Sequence, residues 1–302
     1  MASTIPSFRQ YRRRLRLLAL PLLVLFVSAC SGTSFLYNRL DFLVPWYVDD
    51  YVDLNSAQDD ELELMLEPFL AWHRREELPR YVDLLQLAEA MLDDSLTLDE
   101  VRELAGELET AADRVQTRSL DWMLPLGQGL SEGQIAEFLD TLKEQQEELE
   151  EEYLDRDLEE YREEAYERFL DNCEDYLGRL DKSQRDTVRR GIARLSRSDF
   201  VWLQERQDWV ERLRRLLQRE PGWQEEVRRA LAQRWEATSP EYKGMYERNL
   251  AVIQQTLVEV INSRSERQDR RLRNKLADLR EDFTALSQQG LVEGAAVSTA
   301  AP

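Results

Sequence analysis

The chain has 302 residues, of which 60 are acidic and 40 are basic, and its net charge at pH 7 is −20. The acidic surplus lies before residue 183, because residues 30–182 hold 42 acidic and 13 basic side chains, whereas residues 183–302 hold 18 and 22. Nucleic-acid binding needs a basic face, so the composition argues against that class of function and against docking of the acidic part on anionic lipid.

The first thirty residues have the layout of a secretory signal. A stretch with five arginines and no acidic residue precedes the apolar residues 17–27, and Ser28 and Ala29 then lead to Cys30. The apolar stretch is too short for a permanent membrane helix. The arrangement resembles the signal of bacterial lipoproteins, in which the chain is cleaved just before a cysteine that carries a diacylglyceryl group. The resemblance implies a cleaved signal peptide over residues 1–29 and lipidation of Cys30.

The residue after the cysteine bears on location. In the bacterial lipoproteins that this signal resembles, an aspartate at that position retains the protein in the inner membrane. Ser31 occupies the position here, so the resemblance implies a lipid anchor in the outer membrane, on its periplasmic side. Two or more acyl chains anchor stably, at about 0.8 kcal/mol per buried methylene. We predict that the lipidated cysteine and a short tether occupy residues 30–34, with an extended reach of about 14 Å.

The rest of the chain predicts helices almost throughout. Apolar residues recur at spacings of three and four, and no segment alternates apolar and polar residues as a strand does. The stripes start at Leu62, Leu84, Val101, Ile135, Val188, Trp202, Trp223, Tyr246 and Leu272. We predict an all-α bundle of about eight to ten helices. It divides into an acidic part over residues 35–182, an arginine-rich part over 183–287 and a disordered tail over 288–302.

Four helix starts share one local pattern. Each has a leucine, then a residue whose side chain caps a helix N-terminus, and then Gln or Glu three positions later, which is the capping-box pattern. The capping residues are Asn55, Thr97, Ser131 and Asp181. Their uneven spacing argues against a regular solenoid, so we expect helical hairpins that reuse one start signal.

The only histidine lies in a charged segment, Trp72-His73-Arg74-Arg75-Glu76-Glu77. Glu77 shares a helix face with His73, and such a pair can bind a metal ion or transfer a proton. The alternative, which we favour, is a half-buried histidine that Glu77 hydrogen-bonds, since a zinc site needs three or four ligands. We predict no catalytic residue, metal or cofactor, and we keep Trp72, His73, Arg74, Arg75, Glu76 and Glu77 as candidate binding residues.

Asp49 and Asp50 form a second candidate group, with two further aspartates nearby in an aromatic segment. Clustered carboxylates can hold calcium, but the spacing differs from that of an EF-hand loop and no glycine supplies its turn. We keep Asp49 and Asp50 as candidate binding residues and favour a polar rim or a helix-end role, in which Arg74, Arg75 and Arg80 could pair with these acids.

Three further features have plain structural interpretations. Cys173 falls on an apolar stripe, and acylation of Cys30 leaves it without a disulfide partner, so we predict a buried thiol. Residues 144–164 hold twelve acidic residues and two arginines, which favours a solvated helix surface over recruitment of a cationic partner. The tryptophans at 202, 209, 223 and 235 are interpreted as core residues, with a ligand platform as the alternative.

Two stretches, Tyr37 to Tyr51 and Trp72 to Tyr81, resemble a family of uncharacterised lipoproteins from Gram-negative bacteria. That resemblance covers most of the chain after the signal and implies no activity. The leucine–cap–glutamine elements at Leu54, Leu130 and Leu180 also resemble the Leu-Thr-x-x-Gln motif of small all-helical periplasmic chaperones, although none of them combines Thr with Gln.

The motifs of common enzyme classes are absent from the sequence, including the Walker loop, Gly-x-Ser-x-Gly and His-Glu-x-x-His. We therefore expect a non-enzymatic lipoprotein that binds an envelope protein, as an assembly factor or a chaperone-like factor, without a nucleic-acid or small-molecule ligand. Two alternatives stay open. One is a metal-dependent or enzymatic role centred on His73 and Glu77, and the other is a purely structural spacer of the envelope.

Overall fold

A computed structural model describes the backbone of residues 32–299 and the side chains of residue 34 and residues 36–289. The signal over residues 1–29 and Cys30 lie outside the described residues, so what is said of them stays a prediction. The described part is helical and contains no strand, which confirms the all-α prediction. None of its helices is both long enough and apolar enough to cross a bilayer.

Thirteen α-helices and one π-helical turn follow one another along the described residues. They are α1 Gly32–Tyr37, α2 Leu40–Asp49, α3 Ser56–Trp72, the π turn His73–Glu77, α4 Leu78–Met91, α5 Leu98–Gly129, α6 Glu132–Tyr153, α7 Leu158–Leu177, α8 Lys182–Ile192, α9 Asp199–Leu216, α10 Trp223–Ala232, α11 Arg234–Ala237, α12 Pro240–Asn262 and α13 Glu266–Thr299. The aromatic segment before residue 54, in which the sequence shows no clear stripe, forms α1 and α2.

All four predicted helix starts are capping boxes, which confirms that prediction. In each box the capping side chain accepts the N–H three residues on, and the Gln or Glu at that position accepts the N–H of the capping residue. Two more boxes occur, at Asp157 with Glu160 and at Ser265 with Gln268. The sequence pattern misses both because an arginine precedes the capping residue instead of an apolar residue.

The glutamines of four boxes bind one another in two pairs. Gln58 and Gln134 each donate to the other's amide oxygen, at Nε2–Oε1 distances of 3.1 and 2.7 Å. Gln184 and Gln268 do the same at 3.1 and 2.9 Å. Each amide also donates to a backbone carbonyl that precedes its partner's box. Those carbonyls belong to Gly129, Asp53, Ser263 and Arg179. The pairs join the start of α3 to that of α6, and the start of α8 to that of α13.

The boxes that end in glutamate do not pair in this way. A carboxylate has no N–H to donate, so Glu100 and Glu160 can complete only their own boxes. At the first of them Asn262 supplies the long-range contact. Its amide accepts the N–H of Leu96 and donates to the C=O of Leu96, at 2.8 Å in both cases. That contact ties the start of α5 to the end of α12.

The main hydrophobic core is shared by the acidic and the arginine-rich parts. Its buried side chains come from α4, α5 and α7 before residue 183, and from α8, α12 and α13 after it. Helix α13 packs along α4 and contacts α7, and α8 packs on α12. Cys173 is buried in this core as predicted, and burial raises the pKa of its thiol to about 12. The chain therefore changes its charge balance near residue 183, but the residues on both sides of that boundary contribute to one hydrophobic core.

A buried ion pair links the acidic segment 144–164 to the start of α9. Arg156 and Asp199 are 8% and 4% exposed, and Arg156 Nε lies 3.1 Å from Asp199 Oδ2. The Arg156 guanidinium also lies over the ring of Tyr153, 4.4 Å from its centroid. The acidic side chains of the segment are exposed apart from Glu150, which agrees with a solvated helix surface.

Both ends of the described chain are more helical than the sequence predicts. Helix α1 begins at Gly32 and so includes most of the tether predicted over residues 30–34. Helix α13 continues to Thr299, through residues whose small polar composition predicts disorder. Extending a formed helix adds one hydrogen bond per ordered residue without a new nucleus, and alanine favours this extension.

We predict that the buried glutamine pair is needed for stability. Gln184 is 1% exposed, and Gln184→Leu removes the acceptor of the Asp181 N–H, one of the two acceptors of the Gln268 amide, and the donor to the Ser263 C=O. Because each buried unsatisfied group costs about 1–3 kcal/mol, the free energy of unfolding should fall by about 2–4 kcal/mol. Urea unfolding followed by circular dichroism measures the loss. The matched control is Gln204→Leu, since Gln204 is exposed and its amide donates to the exposed Asp208 carboxylate. It should change stability by less than about 0.5 kcal/mol, and an equal effect of both substitutions would contradict the pairing.

Two substitutions of glycine by alanine should change the free energy of unfolding in opposite directions. A Cβ at Gly191 would lie 2.0 Å from Oγ1 of Thr256 and 2.9 Å from its Cβ. Thr256 is buried and held by a 2.7 Å bond to the Val252 C=O. For Gly191→Ala the clash, about 1–3 kcal/mol, outweighs a gain in helix propensity of about 1 kcal/mol. A Cβ at Gly106 would meet no atom within 4 Å, so Gly106→Ala should stabilise by about 0.5–1 kcal/mol. The same urea unfolding measurement checks both signs.

Candidate functional site

The segment Trp72 to Glu77 contains a change of helix type. Helix α3 ends at Trp72, and His73–Glu77 form one π-helical turn, in which the N–H of Leu78 donates to the C=O of His73. Pro79 follows in the first turn of α4 and has no N–H with which to continue the α-helical pattern. Single π-helical turns within helices are frequent at functional sites. Both His73 and Glu77 are buried, with exposures of 4% and 0%.

His73 is enclosed by aromatic side chains. Its Nδ1 lies 2.7 Å from Tyr37 Oη, and its Nε2 lies 3.4 Å from Tyr81 Oη. The ring of Trp72 lies edge-on, with centroids 6.1 Å apart. Burial lowers the pKa of His73 to about 4, although the charge of Glu77 acts to raise it. The imidazole is therefore neutral at pH 7, with one donor and one acceptor, and each nitrogen faces a tyrosine hydroxyl.

The carboxylate of Glu77 binds two arginine side chains and does not bind His73. Its Oε1 lies 2.8 Å from Arg114 Nε and its Oε2 lies 2.8 Å from Arg114 Nη2, while Arg80 also binds Oε1. The hydrogen bonds to Glu77 raise the pKa of the Arg114 guanidinium. The predicted hydrogen bond from the His73 ring to the Glu77 carboxylate does not form, because guanidinium groups stabilise a buried carboxylate better than a neutral imidazole does. Both carboxylate oxygens are thus engaged by charged donors.

The other residues of the segment have separate surroundings. The guanidinium of Arg74 lies 5.5 Å from the centroid of the Tyr37 ring, and its Nη2 donates to Asn38 Oδ1 at 3.2 Å. Arg75 and Glu76 are exposed, and Arg75 donates to a backbone carbonyl one turn earlier in the helix. The segment therefore supplies buried contacts through some members and solvent-facing charge through others.

Asp49 and Asp50 lie near the start of α3, at the opposite end from His73. Asp49 is exposed, yet desolvation by its neighbours raises the pKa of its carboxyl, and the charges of Asp59, Asp53 and Asp50 add to the effect. Asp59 is in the first turn of α3 and His73 follows its last residue, so the helix separates them by about 20 Å. The two candidate groups do not form one site. Over the described residues, no group of three or more His, Cys, Asp or Glu side chains has a geometry that holds a metal ion.

The surroundings of His73 come from helices that are distant in the sequence. Tyr37 belongs to α1 and Arg114 to α5, and the ring of Phe283 in α13 lies 6.0 Å from that of Tyr81. Helix α1 has another link to α13, because Ser34 Oγ donates to the Asp282 carboxylate at 3.1 Å. The sequence carries no local signal for these contacts, and sequence reasoning missed them. Their effect is to hold α1 on the helical body.

An open cavity of about 280 Å³ lies between α4 and α5, beside the arginines that bind Glu77. Its lining combines Arg80 and Arg114 with Asp83, Glu103 and Glu107, together with apolar side chains. Charges of both signs face the same small space, and both arginines already bind Glu77.

A second candidate site is the aromatic patch, formed by Trp235 of α11 and Tyr242 and Tyr246 of α12. Trp235 is 45% exposed and Tyr246 is 38% exposed. Their rings meet edge-on at 5.5 Å, and the rings of Tyr242 and Tyr246 stack at 6.1 Å. Lys243 Nζ lies 5.7 Å from the Trp235 ring. The interpretation of the tryptophans as core residues is correct for Trp223, which is buried, and wrong for Trp235.

The profile of a family of unknown function, DUF6279, matches residues 50–243, which is more than half of the chain. The match includes the stretch from Trp72 to Tyr81, and it confirms the resemblance to an uncharacterised family. No curated protein and no solved structure matches the chain. The likeness to periplasmic chaperones and the lipoprotein signal stay predictions.

We predict that burial of His73 makes the folded protein less stable in acid. The pKa of His73 is about 4 in the folded chain, against 6.5 for a histidine that is not buried, so between these values the unfolded chain binds more protons. Above about pH 6.5 His73 is neutral in both states, so its burial does not lower the free energy of unfolding. As the pH falls towards 4 that free energy decreases, by about 2 kcal/mol at pH 5.

Urea unfolding of the wild-type protein and of His73→Gln, at about pH 7.5 and about pH 5, measures this decrease. Carboxylates titrate in both proteins, so the comparison between them isolates the histidine. The wild-type protein should lose about 2 kcal/mol more than the variant between the two pH values. Equal losses would mean that His73 is accessible to protons in the folded state.

Proposed function

The chain belongs to the DUF6279 family, whose function is unknown, and we propose that it is an outer-membrane lipoprotein that binds an envelope protein without catalysing a reaction. Acylated Cys30 holds the helical body on the periplasmic side of the membrane. The lipoprotein signal and Ser31 support the location. The exposed aromatic patch is the observation that supports the binding role.

The aromatic patch has the composition of a protein interface. Trp and Tyr are enriched at the centres of interfaces, where each removes a large area from water and loses few rotamers on binding. The ring of Tyr246 contacts the rings of both Trp235 and Tyr242, so the three side chains already restrict one another before a partner arrives. Lys243 adds a positive charge over the Trp235 ring. The partner that fits is a protein whose apolar side chains are bordered by acidic ones.

The geometry around His73 favours a structural role over the metal-dependent or enzymatic alternative. Both ring nitrogens face tyrosine hydroxyls, and arginines occupy the Glu77 carboxylate. An exposed aromatic patch also favours a binding protein over a passive spacer, because large apolar side chains clustered at the surface carry a cost in solubility unless a partner covers them. An assembly factor would bind one stable partner, whereas a chaperone-like factor would bind several.

Photo-crosslinking in intact cells tests this function, with the crosslinking residue placed at position 235 of the acylated chain. The matched control position is Leu64, which is 71% exposed on α3 and is also apolar. We expect adducts with envelope proteins from position 235, few from position 64, and a large loss when Tyr246→Ser removes part of the patch. One dominant adduct indicates an assembly factor, and a series of adducts indicates a chaperone-like factor.

The anchor is checked in the same cells with Cys30→Ser. This variant should stay unprocessed or move to the soluble fraction, and the adducts from position 235 should decrease with it. Equal crosslinking from positions 235 and 64 would refute the binding patch. Unchanged outer-membrane fractionation of Cys30→Ser would refute the anchor alone.

A further inference from the structure

Helix α2 carries apolar side chains on two sides. On one side Val44 and Val48 pack against the core cluster that contains Leu62 and Leu66. These contacts, together with the packing of α2 on α3, hold the helix to the body. Nevertheless no residue of α2 is fully buried. The body therefore covers only one side of an apolar helix.

On the other side, α2 exposes aromatic side chains to its surroundings. Phe42 is 65% exposed and Trp46 is 43% exposed. They are four residues apart, so they lie on the same face of the helix. Leu36 of the preceding α1 is 42% exposed. A helix that is apolar on more than one side is stable when something other than water covers each side.

The position of this face relative to the anchor identifies what covers it. Only Ser31 separates Cys30 from Gly32, the first residue of α1, so the two Cα atoms are at most about 8 Å apart. Helix α1 cannot swing away from the body, because Tyr37 contacts His73 at 2.7 Å and Ser34 donates to Asp282 at 3.1 Å. When the acyl chains of Cys30 enter a bilayer, α1 and the start of α2 lie at its surface.

We infer that the α2 face formed by Phe42 and Trp46 binds the phospholipid surface itself, as a second membrane contact beside the acyl anchor. The inference rests on the proposed lipidation of Cys30 and adds the orientation in which the anchored body is held. Tryptophan favours the membrane–water interface, and the apolar faces of interfacial helices enter it by about 5–10 Å. Asp41 and Asp49 are exposed on the same helix, against one exposed arginine, Arg39, at its start, so zwitterionic headgroups fit this face better than anionic headgroups do.

Bromolipid quenching tests the contact on the full acylated protein, reconstituted into phosphatidylcholine vesicles with brominated acyl chains. Bromine quenches a tryptophan that reaches the lipid. The variants are Trp46→Phe and, as the matched control, Trp235→Phe, because Trp235 has a similar exposure of 45% on a different helix. Quenching should persist in the wild type and in Trp235→Phe, and Trp46→Phe should lose most of it. Adding Phe42→Trp to the Trp46→Phe variant should restore quenching, because position 42 shares the face.

The outcomes separate the lipid contact from the anchor. Mass spectrometry of the N-terminal peptide reports whether Cys30 is acylated in the same sample. An acylated protein with equal quenching in the wild type and Trp46→Phe overturns the lipid contact and leaves the anchor intact. A missing acyl mass together with no quenching overturns both. A photo-crosslinker at position 42 that captures a protein instead of lipid in intact cells also overturns the lipid contact, and stronger quenching with anionic lipid overturns the assignment to zwitterionic headgroups.

Discussion

Pairs of helix N-termini meet at two places in the described part of the chain, and reciprocal glutamine amides hold them together. The first N–H groups of a helix have no partner within it, and two N-termini repel each other through their dipoles. In the pairs Gln58–Gln134 and Gln184–Gln268, each amide oxygen accepts an N–H of its own capping box while the amide nitrogen donates across to the partner. The pair Gln184–Gln268 sets the starts of α8 and α13 side by side, and α13 runs from there along α4, against which it packs most extensively.

The contacts around His73 attach α1, the first helix of the described chain, to the other helices. Helix α1 would otherwise be a short helix with little stability of its own. Its Tyr37 closes the aromatic surroundings of the π turn, whose other contacts come from α4, α5 and α13. Since α1 begins two residues after Cys30, the same contacts that bury the histidine determine how a lipid anchor would orient the body.

Local signals were predictable and distant ones were not. Asn55, Thr97, Ser131 and Asp181 were identifiable as caps because the pattern is complete within five residues. Ser265 has the same chemistry but follows an arginine, so the pattern did not include it. The segment at His73 was recognisable as unusual, yet its partner was predicted to be Glu77. The choice between Glu77 and the tyrosines depended on Arg114, which lies 37 residues after Glu77.

The sequence by itself determined the helical class, the capping boxes, the buried Cys173 and the solvated acidic surface. These properties depend on spacings of three or four residues and on composition, which any chain with this sequence has before it packs. Only the tertiary structure decided which glutamines pair, that Tyr37 encloses His73, and that Trp235 and Phe42 stay exposed while Trp223 is buried. The hydrogen bonds of Tyr37 with His73 and of Gln184 with Gln268 join residues 36 and 84 positions apart. The exposure of each aromatic side chain depends on which helix faces remain uncovered once the shared core has formed.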